Sequence, residues 1–306
     1  MGALHAGHLS LIALAAKANS SVVVSIYVNP TQFGVHEDLD SYPKTWEGDA
    51  QMLRDLDRHL AADGGNHGRI AAVFAPATEV MYPSGPPSQE VDGKGSFVTI
   101  TPVGEVLEGK SRPTFFRGVA TVCMKLFNIV QPDTVYFGQK DVQQTVVIRK
   151  MVKDFCLGTE VVVGETTRES DGLAMSSRNV YLGTRRRKVA TVLRNALRVA
   201  EASYRRGGRN REELLGPANE LARLLALEQF SLKPEERVRF QVDYISLADP
   251  ETMMEIDEVD ESKGAILSGA VKMLPVESPT EGEDLGVAGG PAVRLIDNII
   301  LKPVKT

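Results

Sequence analysis

Residues 21–28 read Ser-Val-Val-Val-Ser-Ile-Tyr-Val, an apolar and β-branched run with the length of one strand. Its apolar residues do not alternate with polar ones, which is typical of a strand covered on both faces in a parallel sheet. A helical pattern at residues 9–17 comes directly before this run. The segment therefore predicts an α/β fold.

The alternation of helix and strand patterns continues to about residue 163. We expect further helices at 45–61, 118–130 and 142–155, and further strands at 70–74, 133–137 and 160–163. This order predicts a doubly wound parallel sheet with right-handed crossovers. Ligands of such sheets bind beyond the carboxyl ends of the strands, so the chemistry should lie after Val28, Phe137 and Val163.

The pattern of the sequence changes at Thr184 and predicts a second, smaller α+β domain. We expect a long basic helix at 185–206, a helix at 211–227, and strands at 237–247, 264–273 and 292–300. The predicted domains are residues 1–178 and 179–306. Residues 277–291 are rich in Gly, Pro, Ser and acidic side chains, and we expect them to form a mobile loop.

Composition and charge exclude several classes of protein. The 306 residues are 42% hydrophobic, and no segment approaches the roughly 18 uninterrupted apolar residues of a membrane helix. The net charge of −5 is too acidic for bulk electrostatic binding of nucleic acid. The two cysteines provide neither a disulfide framework nor a thiolate metal cluster. We expect a cytoplasmic protein that holds any anionic ligand at a local site.

Two of the five histidines, His5 and His8, lie where a glycine-rich turn enters the first helix. Both rings can reach one ligand, and the free amides and partial positive charge of a helix N-terminus suit a phosphate. A metal pair is an alternative, although no glutamate follows in the zincin spacing. The other alternative is a pair of surface histidines on a helix cap.

A second group of polar residues follows the strand at 133–137, where Gly-Gln-Lys-Asp occupies residues 138–141. Lys140 can neutralise a phosphate, and Asp141 can hold a ribose hydroxyl, coordinate a metal or simply cap its helix. Gln143 and Gln144 open that helix, so one amide could face the site and the other solvent.

A third group, residues 171–179, reads Asp-Gly-Leu-Ala-Met-Ser-Ser-Arg-Asn at the predicted domain junction. Two hydroxyls and a guanidinium suit a polyphosphate, and an interdomain turn with a surface arginine is the alternative. Histidine pair, strand-end lysine and Ser-Ser-Arg loop occur in the order that a split nucleotide site requires. Together they favour a nucleotide as ligand.

Several motifs together resemble the pantoate-beta-alanine ligase (pantothenate synthetase) family, and the resemblance covers nearly the whole chain. The motifs are Met-Gly-Ala-Leu-His-Ala-Gly-His (1–8), Val-Asn-Pro-Thr-Gln-Phe (28–33), Phe-Arg-Gly-Val (116–119), Phe-Gly-Gln-Lys-Asp-Val-Gln-Gln (137–144), residues 171–179 and Arg-Leu-Ile-Asp-Asn (294–298). The resemblance implies a Rossmann-like domain of the class of adenylyl transferases that carry an H-x-G-H signature. It also implies a homodimer.

The resemblance assigns roles to individual residues. It implies an ATP site formed by Met1, Gly2, Ala3, Leu4, His5, Ala6, Gly7, His8, Gly138, Gln139, Lys140, Asp141, Thr167, Met175, Ser176, Ser177 and Arg178. It implies that His8, His5 and Lys140 act in catalysis, and that Gln32 and Gln144 hold pantoate. Gln32 would also reach beta-alanine, Tyr42 would line the same pocket, and Mg²⁺ would accompany the ATP phosphates, with Asp141 as one possible ligand.

The sequence departs from the family pattern at three places. The family has a further N-terminal strand that leads into the turn before Met1, and we expect this chain to lack it. Thr167 stands where an apolar residue is expected beside adenine. Residues 62–69 and 277–291 lengthen the pattern, which suggests a eukaryotic-type version.

The implied reaction joins pantoate to beta-alanine through a pantoyl adenylate and releases AMP and pyrophosphate. A nucleotidylyltransferase acting on a phosphorylated acceptor is the alternative enzyme, but it should place cations rather than Gln32 and Gln144 around the acceptor. A truncated, non-catalytic homologue is the alternative from another class, because a parallel sheet without one strand exposes unpaired backbone.

Overall fold

A computed structural model describes residues 2–33, 39, 42, 45–63 and 67–304. The chain forms two compact units, one of residues 1–139 and 143–167 and the other of residues 140–142 and 168–306. Residues 168–178, which the sequence prediction assigned to the first domain, thus group with the second unit. The functional boundary at residue 178 stays a prediction.

The first unit alternates helices and strands in the predicted order. Its elements are α1 (Ala6–Ala18), β1 (Ser21–Ser25), α2 (Trp46–Ala62), β2 (Arg69–Phe74), α3 (Thr78–Met81), α4 (Glu108–Ser111), α5 (Phe115–Val130), β3 (Thr134–Gly138), α6 (Val142–Asp154) and β4 (Glu160–Gly164). Short 3-10 turns occupy Pro30–Gln32 and Gln139–Asp141.

The strands of this unit pair in parallel, β1 with β2 and β3 with β4. The α/β fold class with parallel strands is thereby confirmed, although in the described residues the strands form two separate two-stranded sheets. Val22 and Val24 of β1 are buried, whereas Val23 is 41% exposed. The expectation that β1 is covered on both faces is therefore wrong for the single chain.

One helix, α1, holds this part of the unit together. Its Ile12, Ala15 and Ala16 pack into a buried cluster with Val22 and Val24 of β1. At its C-terminal end, Asn19 donates a hydrogen bond of 2.8 Å to the Tyr136 hydroxyl of β3. Packing of one apolar helix against both strands places the N-terminus of α1 beside the ends of β3 and β4.

The second unit is a three-stranded antiparallel sheet covered by helices. It contains α7 (Gly183–Arg187), α8 (Val192–Arg205), α9 (Arg211–Ser231), β5 (Phe240–Ala248), β6 (Ala265–Met273) and β7 (Val293–Leu301), with 3-10 turns at Ser177–Tyr181 and Val287–Gly289. The strand order is β5-β6-β7. Leu197 of α8, Leu214 of α9 and Leu267 of β6 are fully buried in its core, as the predicted α+β domain requires.

The predicted long helix at 185–206 is wrong, because the chain forms α7 and α8 with turns between them. Between the two helices the backbone tightens, because Val189, Ala190 and Val192 donate to carbonyls three residues earlier rather than four. In α7, Arg186 is fully buried and donates to carbonyls of the surrounding backbone. Its guanidinium bonds to the carbonyls of Tyr181, Leu182, Leu274, Leu285 and Pro291. Burial lowers the pKa of this guanidinium.

Residues 283–286, within the segment expected to be mobile, lie against α7. The Arg185 guanidinium forms an ion pair of 2.5 Å with Glu283, and both side chains are largely buried. Gly183 and Gly286 have φ of +60° and +88°, and a Cβ on either would strike the backbone of the opposite segment. These contacts fix one part of the segment, whereas mobility of the remainder stays a prediction.

No helix among the described residues is long and apolar enough to cross a membrane.

Replacing Arg186 with Met should lower the free energy of unfolding by about 2 to 4 kcal/mol, because buried carbonyls lose their donors. Urea denaturation followed by circular dichroism measures the change. The matched control is Arg205→Met, which removes an exposed arginine paired with Glu201 on α8 and should change stability by about 0.5 kcal/mol or less. Equal effects of the two substitutions would contradict a structural role for the buried guanidinium.

Candidate functional site

The N-terminus of α1 is capped by a histidine. His5 has extended backbone angles (φ −150°, ψ 171°), and its Nδ1 accepts a hydrogen bond of 3.1 Å from the Gly7 amide. A neutral imidazole that accepts through Nδ1 carries its proton on Nε2. The cap thus fixes the tautomer of His5 and makes Nε2 the donor atom of its ring.

His8 lies beside His5 on the same helical turn. The two ring centroids are 4.0 Å apart, with an angle of 31° between the ring planes, and both side chains are half-buried. The positive end of the helix dipole is at this turn, so the two rings and the helix terminus form a site suited to an anion. The sequence prediction that both rings can reach one ligand agrees with this geometry.

The turn before His5 is held by a residue that the sequence analysis missed. Asp49 is 2% exposed, and its Oδ1 accepts hydrogen bonds from the Leu4 amide (3.0 Å) and the Thr45 hydroxyl (2.8 Å). Asp49 lies in the first turn of α2, where the helix dipole favours a negative charge. The only sequence signal for it was an acidic residue at the start of an amphipathic helix, which usually faces solvent.

The carboxyl ends of β3 and β4 approach α1 closely. A Cβ on Gly138 would touch Leu11 of α1 at 3.7 Å, and one on Gly164 would overlap the same leucine. Thr167, which follows β4, shares a hydrogen bond of 2.9 Å with Ser10, and Ser10 also donates to the Gly7 carbonyl. The structure thus brings together the histidine turn, Gly138 and Thr167.

Gln32 lies in the 3-10 turn after β1, next to a buried polar network. Its Oε1 accepts a hydrogen bond of 3.2 Å from Asn29, whose own Oδ1 accepts from the hydroxyls of Tyr82 (2.8 Å) and Thr31 (3.0 Å). Burial raises the pKa of Tyr82 to about 12, so its hydroxyl stays a neutral donor. This network orients the Gln32 amide, with its Oε1 turned toward Asn29.

The two glutamines of α6 have different environments. Gln144 is half-buried. Gln143 is 5% exposed and is bonded to the loop at residues 103–108, so the alternative that one amide faces solvent does not hold for Gln143.

Lys140 and Asp141 belong to the second unit, where β7 holds the backbone of Lys140. Asn298 is 2% exposed and donates a hydrogen bond of 2.9 Å to the Lys140 carbonyl. The preceding Asp297 forms a two-pronged ion pair with Arg168, at 2.7 and 2.8 Å. The ammonium of Lys140 lies 3.8 Å from the Asp141 carboxylate. Asp297 and Asn298 belong to the motif at 294–298, but that motif alone did not predict this role.

The Ser-Ser-Arg loop begins a 3-10 turn in the second unit. Ser176 caps it by accepting a hydrogen bond of 3.2 Å from the Arg178 amide. Asn179 donates to Glu169 (2.8 Å) and to the Ala174 carbonyl (3.1 Å), and Arg187 pairs with Glu169 and Asp171. Met175, Ser176, Ser177 and Arg178 are all half-buried on this braced loop.

Tyr42 and Met1 are two further residues of the predicted site. Tyr42 meets Phe33 edge-on, with ring centroids 5.7 Å apart, and lies so close to Gly2 that a Cβ there would overlap its ring. Tyr42 therefore borders both the histidine turn and the Gln32 segment. Met1 lies outside the described residues.

Comparison with known proteins shows similarity along the whole chain. A family model described as pantoate-beta-alanine ligase matches residues 1–300. The pantoate-beta-alanine ligase of Saccharomyces cerevisiae is 40% identical over 307 residues, which cover 98% of this chain and 90% of the yeast protein.

Solved structures agree in fold as well. A Thermus thermophilus pantothenate synthetase structure aligns with a TM-score of 0.76 and 36% identity, covering 99% of this chain and 91% of that one. A Francisella tularensis pantoate-beta-alanine ligase, crystallised with beta-gamma ATP and beta-alanine, aligns with a TM-score of 0.65 and 30% identity, covering 98% of this chain and 87% of that one.

Replacing Asp49 with Ala should leave the Leu4 amide without its acceptor and lower the free energy of unfolding by about 1 to 3 kcal/mol. Hydrogen exchange at that amide should accelerate more than exchange in α8. Asp49→Asn keeps an oxygen acceptor and should retain most of the protection. The control is Asp55→Ala on the exposed face of α2, where the carboxylate meets Gln51 and Arg58. Unchanged exchange at Leu4 in Asp49→Ala would refute the anchoring role.

Proposed function

The chain belongs to the pantoate-beta-alanine ligase family, and we propose which of its residues carry each step of that ligation. The enzyme condenses pantoate with beta-alanine to pantothenate and converts ATP to AMP and pyrophosphate through a pantoyl adenylate. A pantoate carboxylate oxygen attacks the α-phosphorus, and pyrophosphate leaves. The amine of beta-alanine then attacks the acyl carbon, loses a proton and expels AMP.

ATP binds at the histidine turn in this proposal, and the observation that carries it is the pair of adjacent, tilted histidine rings at the N-terminus of α1. Nε2 of His5 and the ring of His8 donate to phosphate oxygens whose charge grows as the α-phosphorus is attacked. The neighbouring ATP contacts come from Gly2, Ala3, Leu4, Ala6, Gly7, Gly138, Gln139 and Thr167. Met1 is proposed as a further contact from the resemblance alone.

The β- and γ-phosphates are held by Lys140, Ser176, Ser177 and Arg178, with Asp141 and Met175 bordering them. The ammonium supplies a point charge, and the guanidinium and hydroxyls supply directed hydrogen bonds. Asn298 supports this role of Lys140, because a fixed backbone limits where the ammonium can reach. Positioning and charge neutralisation are the main tasks of a protein in such transfers.

Pantoate lies between Gln32 and Gln144, and Gln32 also contacts beta-alanine. Amide side chains offer donors and acceptors to the hydroxyls and carboxylate of pantoate without adding charge to a site that already collects anions. The hydrogen bond from Asn29 supports the assignment of Gln32, since it fixes which end of the amide meets the ligand. Tyr42 closes the same pocket.

Mg²⁺ would bind at this site together with ATP, with phosphate oxygens among its ligands. No group of three or more His, Cys, Asp and Glu side chains within the described ranges could hold a metal ion. Asp141, whose side chain is 45% exposed, is a single oxygen donor, and that suits an ion which keeps water and phosphate ligands. When bound, Mg²⁺ would neutralise phosphate charge and improve pyrophosphate as a leaving group.

We also propose a cytoplasmic homodimer. Val23 of β1 and Val73 of β2 are exposed apolar side chains, and their burial between two copies of the chain would favour self-association. The cysteine content supports a reducing compartment.

The adenylate route predicts pantoate-dependent exchange of labelled pyrophosphate into ATP in the absence of beta-alanine. Exchange should require pantoate, because only formation and reversal of the acyl adenylate return pyrophosphate to ATP. The control reaction omits pantoate and should incorporate no label. Exchange that begins only after addition of beta-alanine would rule out a separate adenylate step.

His8→Ala should reduce turnover by two to three orders of magnitude, since a donor aimed at developing charge lowers the barrier by roughly 3 to 4 kcal/mol. His59→Ala, an exposed histidine in the last turn of α2, is the matched control and should keep normal turnover. Steady-state kinetics separates kcat from the KM for ATP. A variant that binds ATP poorly yet turns over normally would contradict the assignment.

A further inference from the structure

Gln143, the neighbour of Gln144 on α6, begins a chain of polar contacts that ends at Gln32. Its Nε2 donates to the carbonyls of Val103 (2.8 Å) and Val106 (2.7 Å), and its Oε1 accepts from the Glu108 amide (3.1 Å). One buried side chain thus makes three bonds to a single loop. A loop with irregular backbone needs such partners, because buried carbonyls and amides without them are costly.

The end of this loop also contacts the segment that carries Gln32. Glu108, 7% exposed, forms an ion pair of 3.3 Å with Arg112, and the Arg112 guanidinium donates a hydrogen bond of 3.1 Å to the Gln32 carbonyl. The same guanidinium lies 3.9 Å above the Phe115 ring, which restricts its position. Contacts on two sides therefore hold Arg112 where it meets Gln32.

The two ends of this network are next to the proposed pantoate ligands. Gln143 directly precedes Gln144 on α6, whereas Arg112 bonds to the backbone of Gln32 itself. We propose that Gln143 is a positioning residue that sets the separation of Gln32 and Gln144 through the loop at 103–108 and Arg112. This inference rests on the proposed pantoate-binding role of those two glutamines.

Glutamine is required at this position by the chemistry of its partners. Two of the three bonds are donated to carbonyls, so a carboxylate at residue 143 would place negative charge against two carbonyl oxygens. A methionine has a similar length but supplies no donor and only a weak acceptor. Gln143→Glu and Gln143→Met therefore break the network in different ways while nearly preserving side-chain volume.

Both variants should raise the KM for pantoate by about tenfold or more, because the ligand must bring its two amides together. The KM for ATP should rise much less than the KM for pantoate, because neither His5 nor His8 is in the network and Asn298 holds the Lys140 carbonyl independently of Gln143. Val147→Ala is the matched control: Val147 is fully buried on α6 but is not bonded to the loop. It should lower the melting temperature while leaving the KM for pantoate unchanged.

A double-mutant cycle tests whether Gln143 acts through Arg112. Arg112→Met should also raise the KM for pantoate, and combination with Gln143→Met should add little, because either change already interrupts the network. Fully additive effects would overturn the proposal. Equal rises in KM for pantoate and ATP would also overturn it, because they indicate general loosening of the fold. If Gln143→Met does not fold, Gln143→Glu serves in the cycle.

Substitution of the two ligands themselves separates this inference from the proposed function. Gln32→Ala and Gln144→Ala should each raise the KM for pantoate. If they do not, the proposed pantoate site is wrong. If they do and the Gln143 variants keep a normal KM for pantoate, only the positioning role is wrong.

Discussion

The hydrogen bond from the Leu4 amide to the buried Asp49 carboxylate holds the backbone directly before the His5 cap of α1, and the histidine turn depends on that support. The wider constraint is that buried backbone groups need partners wherever the backbone is irregular. In regular strands and helices the backbone groups bond to one another, whereas in the segments beyond the strand ends they need partners from elsewhere. In this protein a side chain from a distant element supplies the partner, as Asn298 does for the Lys140 carbonyl.

Local patterns were enough to predict most of the elements. The apolar runs around Val22 and Val135 predicted strands that pair in parallel, because strand length and β-branched content are local properties. The histidine turn was also found locally, since a glycine-rich turn entering a helix needs only a few consecutive residues. The chemistry of the candidate residues then predicted a nucleotide as ligand, and the family motifs predicted one specific reaction.

Features that depend on contacts between residues far apart along the chain could not be predicted from the sequence. Arg186 of α7 donates to carbonyls as far away as Pro291, and the periodicity of a helix cannot predict such a contact. Asp49 looked like an ordinary first-turn acid because its partner, Leu4, lies 45 residues away along the chain. The different roles of Gln143 and Gln144 were likewise hidden, because neighbouring positions on a helix point in different directions and only the loop at 103–108 distinguishes them.

Within the described part of the chain, the Arg186 guanidinium bonds to main-chain carbonyls alone, and this has a consequence for how the chain can diverge. A carbonyl is present at every position whatever the side chain, so residues around 285 and 291 can be exchanged without losing these bonds. Gly183 and Gly286 are far less exchangeable, because a side chain on either would strike the backbone of the other segment where the two segments pass each other. Closely related enzymes can therefore keep this contact between the two segments while the side chains of the residues whose carbonyls bond to Arg186 change.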